Sequence, residues 1–385
     1  MKILDEEMKA LLKIFGSLLI GACIGLVVVV PIIALIDGQP LSQIFNKEFL
    51  VELLPIGWML IALFIAFVLH IILHEGGHLV AGLLTGYRFV SFRFFNFTLI
   101  RKDGRLQWRN FELSGTAGQC LMAPPDKPLE QIDTRWYNAG GVLVNVILVL
   151  LALLLLWALD MPKWVNIFLL MMAFIGITVT LMNGIPMKIS GVANDGFNLL
   201  QLEKDLPGKQ CFCNMLDINA RSQEGQPYTE MPERLFALPE PLDWKNSMHM
   251  SSVLSSATRM MALHQWENAY RLLTEACNHK DDYMKLYQLE VENMMTQVCL
   301  LTGRDDEARQ HYTKEVAKYV AMHAPTQSDK QLTTMAVALA LDGDRPKAEQ
   351  LTQKLEANRD KYIHQGDVAL SLDLMHHILS TRPPQ

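Results

Sequence analysis

Four long apolar runs in the first half of the chain most restrict how it can fold. They cover residues 14–36, 53–73, 136–159 and 164–187, and none contains Asp, Glu, Lys or Arg. Each is about as long as the ~20 residues that cross a lipid bilayer. The rest of the chain has no such run. The sequence therefore predicts four transmembrane helices followed by a region outside the membrane.

Charges near these runs predict how the protein is oriented in the bilayer. The loop over residues 37–52 has one lysine and three acidic residues, whereas the loop over residues 86–135 has eight lysines and arginines. Because basic loops stay on the cytoplasmic side, both termini and the second loop are expected in the cytoplasm. The net charge of -6 argues against nucleic acid as a partner.

The second apolar run continues into the motif H-E-x-x-H, formed by His74, Glu75 and His78. Two histidines four residues apart share a helix face. They can hold one Zn²⁺ there, with the glutamate as general base towards a water that the metal activates. Such side chains are costly inside a membrane and are usually functional. The alternative interpretation is a polar helix face buried against neighbouring spans.

A catalytic zinc site usually has three protein ligands, so one more is needed beyond the two histidines. His70 lies one turn before His74, too far along the same helix to be a third ligand, and is interpreted as a packed or solvated histidine outside the metal set. The alternatives are a substitute ligand or a group that supports a ligand. Asp195 follows the fourth run and precedes Gly196, where a carboxylate can complete the site. The alternative is that Asp195 only forms part of an Asn-Asp-Gly turn.

Three separated elements resemble the site-2 protease family of intramembrane zinc metalloproteases. They are the HExxH motif, Gly141 and Asn145 in a Gly-x-x-x-Asn pattern, and Asn183 in Asn-x-x-Pro with Asp195 following in Asp-Gly. The resemblance covers about residues 50–205. Asn194 stands where the family usually has leucine, and the interval from Asn183 to Asp195 is longer by about one helical turn.

This resemblance implies a zinc metalloendopeptidase, a hydrolase that acts within the membrane, in a multi-pass protein of a bacterial cell membrane. Its substrates would be membrane-spanning proteins or membrane-inserted peptides, cleaved in regulated intramembrane proteolysis or in the maturation of peptide signals. The implied zinc ligands are His74, His78 and Asp195. The implied general base is Glu75. Asn145 and Asn183 are implied to position the substrate or to stabilise the oxyanion.

Residues 90–113 alternate aromatic and polar side chains around Asp103-Gly104, a strong signal for a two-residue hairpin turn. The segment resembles the cytoplasmic β-hairpin that follows the HExxH helix in the family. Its strand edge could pair with an unwound substrate; the alternative is a hairpin on the membrane surface with no substrate role. Residues 114–125 are glycine-rich and then apolar, and are expected to dip back into the membrane beside the site.

The chain beyond residue 243 is predicted to be helical, with a repeat period of about 40 residues. Ala269, Ala308 and Ala348 align as small residues that allow close helix packing. The pattern resembles tetratricopeptide-type helical hairpins, whose stacked surfaces bind peptides or proteins. A protein regulator is therefore an expected partner there. The alternative is a helical bundle that only stabilises the enzyme.

Together these features predict an α-helical integral membrane protein with a cytoplasmic β-hairpin and a soluble all-α repeat domain. The predicted parts are an N-terminal transmembrane helix with an external loop (1–52), a membrane catalytic core (53–205), a linker (206–243) and the repeat domain (244–385). A competing hypothesis is a zinc-binding membrane scaffold without proteolytic activity that acts through its helical repeats. An intact Glu75 favours the enzyme.

Overall fold

The computed structural model describes residues 47–102, 104–111, 117–189 and 192–382. The first predicted span, residues 14–36, lies outside this part. Within it, three helical segments are long and apolar enough to cross a membrane: Leu54–Leu84, Leu129–Ala158 and Lys163–Gly184. Large apolar side chains on these segments, such as Ile147, Leu154 and Trp157, are exposed. An apolar surface of this kind is what contact with lipid requires.

Three long helices form the membrane part. Helix α1 (Lys47–Leu84) contains the whole HExxH motif, so the uncharged run over residues 53–73 and the motif that follows it belong to one helix. Helices α2 (Arg135–Ala158) and α3 (Lys163–Gly184) pack against α1 and against each other. The backbones of α1 and α2 nearly touch, because a Cβ atom added at Gly77 would lie 2.2 Å from the carbonyl oxygen of Gly140.

A four-stranded antiparallel sheet lies between α1 and α2 in the chain. Its strands are β1 (Arg88–Phe94), β2 (Phe97–Lys102), β3 (Arg105–Asn110) and β4 (Gly118–Ala123), in the order β3-β2-β1-β4. Lys102 pairs with Arg105, and Gly104 has a φ of +74°, so the predicted hairpin is confirmed. The sheet has two more strands than predicted.

Strand β4 covers residues 118–123 of the segment that is expected to dip back into the membrane beside the site. Its backbone pairs with β1 from Gly118–Phe94 to Ala123–Arg88, which satisfies hydrogen-bonding groups that lipid could not. The apolar side chains of β4 pack inward: Leu121 and Met122 are buried. Residues 118–123 thus form an edge strand of the sheet, and their depth in the membrane stays a prediction.

A short region joins α3 to the rest of the chain and corrects the predicted linker over residues 206–243. It contains the two-residue strands β5 (Lys188–Ile189) and β6 (Val192–Ala193), then helices α4 (Asp195–Gln201) and α5 (Leu206–Gln223). Pro207 is compatible with a helix because it lies in the first turn. Asp205 caps that turn, its side chain accepting a hydrogen bond from the backbone N–H of Gly208.

Eight further helices form the C-terminal helical region, from Ser247 to Thr381. They are α6 (Ser247–Ala262), α7 (Trp266–Asn278), α8 (Lys285–Leu301), α9 (Asp305–His311), α10 (Lys314–His323), α11 (Ser328–Ala340), α12 (Arg345–Ala357) and α13 (Gln365–Thr381). Most of them share one apolar core. The aligned residues Ala269, Ala308 and Ala348 are each completely buried in it, as close helix packing requires.

Candidate metal centre

Three predicted ligands meet at one point, although they come from distant parts of the chain. Asp195 Oδ2 lies 3.1 Å from His74 Nε2 and 3.2 Å from His78 Nε2, and the two Nε2 atoms are 3.2 Å apart. Ligand atoms around a tetrahedral Zn²⁺ would be about 3.3 Å apart, since Zn–N and Zn–O distances are about 2.0–2.1 Å. The three atoms therefore have the spacing of a metal-ligand set.

The protein leaves room for this cluster by placing a glycine opposite it. A Cβ atom at Gly141 on α2 would lie 2.6 Å from both His74 Cε1 and His78 Nε2. The i, i+4 spacing brings both imidazoles to the same face of α1, and Gly141 lets that face approach α2 closely. The first position of the Gly-x-x-x-Asn pattern must thus be glycine, because a side chain there would overlap the two imidazoles.

A hydrogen bond fixes His78 in the tautomer that a metal ligand needs. Its Nδ1 lies 2.7 Å from the backbone carbonyl oxygen of Tyr137, which can only accept, so Nδ1 carries the hydrogen. A neutral His78 then presents the lone pair of Nε2 to Asp195. A lone pair and a carboxylate facing each other at this distance need a cation or a shared proton between them.

Asn194 holds Asp195 in place, a role that sequence reasoning missed. Its side-chain oxygen accepts hydrogen bonds from the backbone N–H groups of Met187 and Phe197, at 3.1 and 2.9 Å. Its amide donates to the carbonyl oxygens of Met182 and Ile185, at 2.8 and 2.7 Å. Asn194 thereby joins the end of α3 to the start of α4. Asparagine is a favoured residue before a helix, and this was the available signal.

The longer interval before Asp195 is taken up by a small antiparallel pair. Lys188 pairs with Ala193, and Ile189 with Val192, so the chain leaves α3 and returns before α4 begins. The extra residues therefore form a local excursion. They do not move the carboxylate away from the histidines.

Glu75 lies beside the ligand cluster in a cleft of about 400 Å³. Strand β4 forms one wall, and a Cβ atom at Gly118 would lie 2.7 Å from Glu75 Oε1. Helix α5 forms another wall through Phe212 and Leu216. The cleft can accept a short extended peptide next to the metal ligands and the carboxylate.

The two asparagines predicted to position a substrate occupy different environments. Asn183 lines the cleft, and its amide donates to the carbonyl oxygen of Val179 at 3.1 Å. Asn145 is completely buried, and its two amide atoms lie 2.9 Å from His70 Nδ1 and 2.9 Å from His74 Nδ1. Asn183 can therefore reach a bound peptide directly, whereas Asn145 contacts a metal ligand. His70 is fully buried, as a packed histidine would be.

Cys277, Glu292 and His311 form another cluster of metal-ligand type in the described part of the chain. There, His311 Nδ1 already lies 2.6 Å from Glu292, which is too short for an ion between the two atoms. The pair is satisfied as an ordinary hydrogen bond. The described cavity of about 1080 Å³ lined by Arg88, Pro125 and Arg234 contains none of these groups.

Comparisons of the chain with protein-family models, curated proteins and solved structures give no match. A fold by itself does not define a function. The function must therefore be argued from the site.

Proposed function

We propose that the protein is a zinc-dependent endopeptidase that cleaves peptide bonds within or next to the membrane. The observation that carries this proposal is the meeting of His74, His78 and Asp195 within 3.1–3.2 Å of one another. Glu75 lies in the same cleft, on a helix of membrane-spanning length. Two imidazoles, a carboxylate ligand and a free glutamate are the groups that metal-assisted hydrolysis uses.

Each residue has a distinct task in the proposed hydrolysis. Bound Zn²⁺ would supply a water of lowered pKa and would polarise the peptide carbonyl. Glu75 accepts a proton from the attacking water and then delivers it to the leaving amine as the C–N bond breaks. Asn183 lies on the same cleft and can hold the substrate backbone by hydrogen bonds.

The position of the cleft indicates the class of substrate. Two of the ligands, His74 and His78, lie within a helical segment bounded by Leu54 and Leu84, so membrane-spanning proteins and membrane-inserted peptides reach them most directly. A transmembrane helix hides its own backbone and must unwind before cleavage. An unwound segment could then pair with an edge strand, and the edge strand that borders the cleft is β4 rather than the predicted β2–β3 hairpin.

The C-terminal helical region is the proposed place for regulation. Helix α5 packs against the sheet through Phe212 and Leu216 and against the 228–236 segment through Ile218, so the sheet and the helical region share one side of the membrane. The basic loop over residues 86–135 favours the cytoplasm for that side. A protein regulator bound to this region would act on the cleft through α5.

Replacing Glu75 with the isosteric glutamine tests the proposed activity. Short peptides and membrane-protein fragments from cells carrying the wild type or Glu75→Gln would be compared by mass spectrometry. We expect fragments to vanish and precursors to accumulate in Glu75→Gln, with one zinc per purified chain retained. Asp195→Ala is the matched variant that should lose zinc as well as cleavage.

Retained cleavage by Glu75→Gln would contradict the assigned chemistry. Full zinc occupancy in Asp195→Ala would show that the third ligand lies elsewhere. Identical fragment profiles together with one bound zinc would favour the competing hypothesis of a scaffold without proteolytic activity.

A further inference from the structure

His70 occupies the point where the three membrane helices meet. It is completely buried on α1, one turn before His74. Its Nε2 lies 2.9 Å from the backbone carbonyl oxygen of Met172 on α3, and its Nδ1 lies 2.9 Å from the side chain of Asn145 on α2. Gly176 on α3 provides the space, because a Cβ atom there would lie 2.7 Å from His70 Cε1.

Asn145 connects His70 to a metal ligand. Its side chain is completely buried, and its second amide atom lies 2.9 Å from His74 Nδ1. The row Met172–His70–Asn145–His74 is thus continuous, with one hydrogen bond at each step. The row ends on Nδ1 of His74. This atom is not the proposed ligand atom, but it belongs to the same ring as the ligand atom Nε2.

The direction of these hydrogen bonds follows from the one group that can only accept. The Met172 carbonyl takes a hydrogen from His70 Nε2, so a neutral His70 has a lone pair on Nδ1 that needs a donor. The NH₂ end of Asn145 is that donor, which leaves its oxygen for His74 Nδ1. His74 Nδ1 must then carry the hydrogen, and the lone pair of His74 Nε2 faces Asp195 and His78.

The opposite orientation of the Asn145 amide would give His70 and His74 unfavourable protonation states. With Oδ1 of Asn145 towards His70, the orientation found in the structure, His70 would donate from both nitrogens and be a buried cation whose two hydrogen-bond partners are neutral. His74 would then carry its hydrogen on Nε2 if neutral, where the ion must bind. The two ends of a carboxamide have nearly the same shape, so their assignment follows from the hydrogen bonds they make.

We propose that His70 and Asn145 are positioning residues that fix His74 in the tautomer and ring orientation required of a metal ligand. The inference rests on the metal centre of the proposed function but does not depend on proteolysis. His78 is oriented in the same way by the Tyr137 carbonyl. Partners behind a ligand commonly change metal affinity by about 10–100-fold when they are removed.

Zinc affinities of the purified full-length protein test this proposal, measured by competition with a chelator. His70→Leu and Asn145→Leu should each weaken zinc binding by about 10–100-fold. The double variant should bind no more weakly than Asn145→Leu alone, because His70 acts through Asn145. His70→Gln should restore binding, since its amide can accept from Asn145 and donate to Met172.

Leu169→Ala is the matched packing control. It removes a buried side chain of α3 from the apolar cluster to which Met172 also belongs and leaves every group of the row in place, so zinc affinity should stay close to that of the wild type. The cobalt-substituted protein gives a second readout. The visible absorption of Co²⁺ should change in His70→Leu and Asn145→Leu and remain wild-type-like in Leu169→Ala.

Several outcomes would overturn the proposal. Unchanged zinc affinity in both leucine variants would show that neither His70 nor Asn145 supports the metal ligand. Additive losses in the double variant would mean that His70 does not act through Asn145. If the leucine variants do not fold, His70→Gln and Asn145→Asp decide, because each keeps an acceptor at its place in the row; tenfold or greater losses in both would overturn it. A wild type that binds no zinc would overturn the proposed function as well, whereas zinc binding without cleavage would overturn only proteolysis.

Discussion

At the scale of single residues, glycines keep the metal centre and the general base clear of side chains. Gly141 faces the two imidazoles, and Gly118 on β4 faces the carboxylate of Glu75. The clearance is small in both cases, since an added Cβ atom would lie 2.6 Å from His78 Nε2 or 2.7 Å from Glu75 Oε1. Substitutions at these two glycines can therefore test metal binding and base catalysis separately.

Replacing Gly118 with alanine should impair the base without affecting the metal. The added methyl group would displace the Glu75 carboxylate, and a positioned general base contributes about 10²–10⁴ in rate. We expect cleavage to slow by roughly tenfold or more while zinc content stays at that of the wild type. Peptide cleavage and metal analysis on the same preparation measure both effects. Loss of zinc together with activity would show that Gly118 supports the whole site.

At the scale of elements, the contact between α1 and α2 sets the positions of all three histidines on α1. The contact is close because Gly77 and Gly140 face each other, each without a side chain. Gly76, the neighbouring residue in the same motif, has no atom within 4 Å of an added Cβ. Of the two glycines of HEGGH, Gly77 is therefore needed for the close approach of α2, whereas Gly76 is not.

Gly77→Ala and Gly76→Ala form a matched pair that tests this contact. Gly77→Ala should destabilise the protein by about 1–3 kcal/mol through overpacking and should weaken zinc binding by moving α2. Gly76→Ala should be neutral or stabilising, since alanine favours a helix over glycine by about 0.8–1 kcal/mol. Thermal unfolding in detergent, followed by tryptophan fluorescence, compares them. Equal behaviour of the two variants would contradict the close approach at Gly77.

At the scale of the whole molecule, α5 connects the metal centre to the C-terminal helical region. One side of α5 carries Phe212 and Leu216 to the cleft, and Ile218 packs on the other side against Tyr228 and Leu235. An ion pair between Arg88 and Glu224 joins β1 to the end of α5. The helical region and the wall of the cleft are therefore joined through one helix.

Phe212→Ala should open the cleft and speed the removal of zinc by an excess of chelator several-fold. The expected reason is easier access from the side that α5 covers. Ile218→Ala is the control, because it removes a comparable buried side chain from the same helix on the side away from the metal. Stopped-flow measurement of zinc release compares the two. Equal release rates would mean that α5 does not limit access.

Local patterns in the sequence predicted the parts of this protein that depend on neighbouring residues. Uncharged runs predicted the three described spans, and Asp103-Gly104 predicted the turn between β2 and β3. The i, i+4 spacing of His74 and His78 predicted a shared helix face. These features follow from helix and strand periodicity, which acts over a few residues. Helix α5 (Leu206–Gln223), by contrast, was not predicted: this stretch was assigned to a linker over residues 206–243, and the helix packs against the sheet and the 228–236 segment, which are contacts that local patterns do not reveal.

The tertiary structure alone decided which distant residues meet. The approach of Asp195 to His74 depends on the packing of α1, α2 and α3, and the row from Met172 to His74 requires side chains from all three helices. The places of β4 and α5 around the cleft likewise depend on long-range packing. Periodicity tells which face of an element is apolar, but which face packs against which is decided by the shapes of side chains, and here largely by glycines that let backbones approach. The sequence therefore determined the chemical groups of the site, and the packing of the helices determined that they form one site.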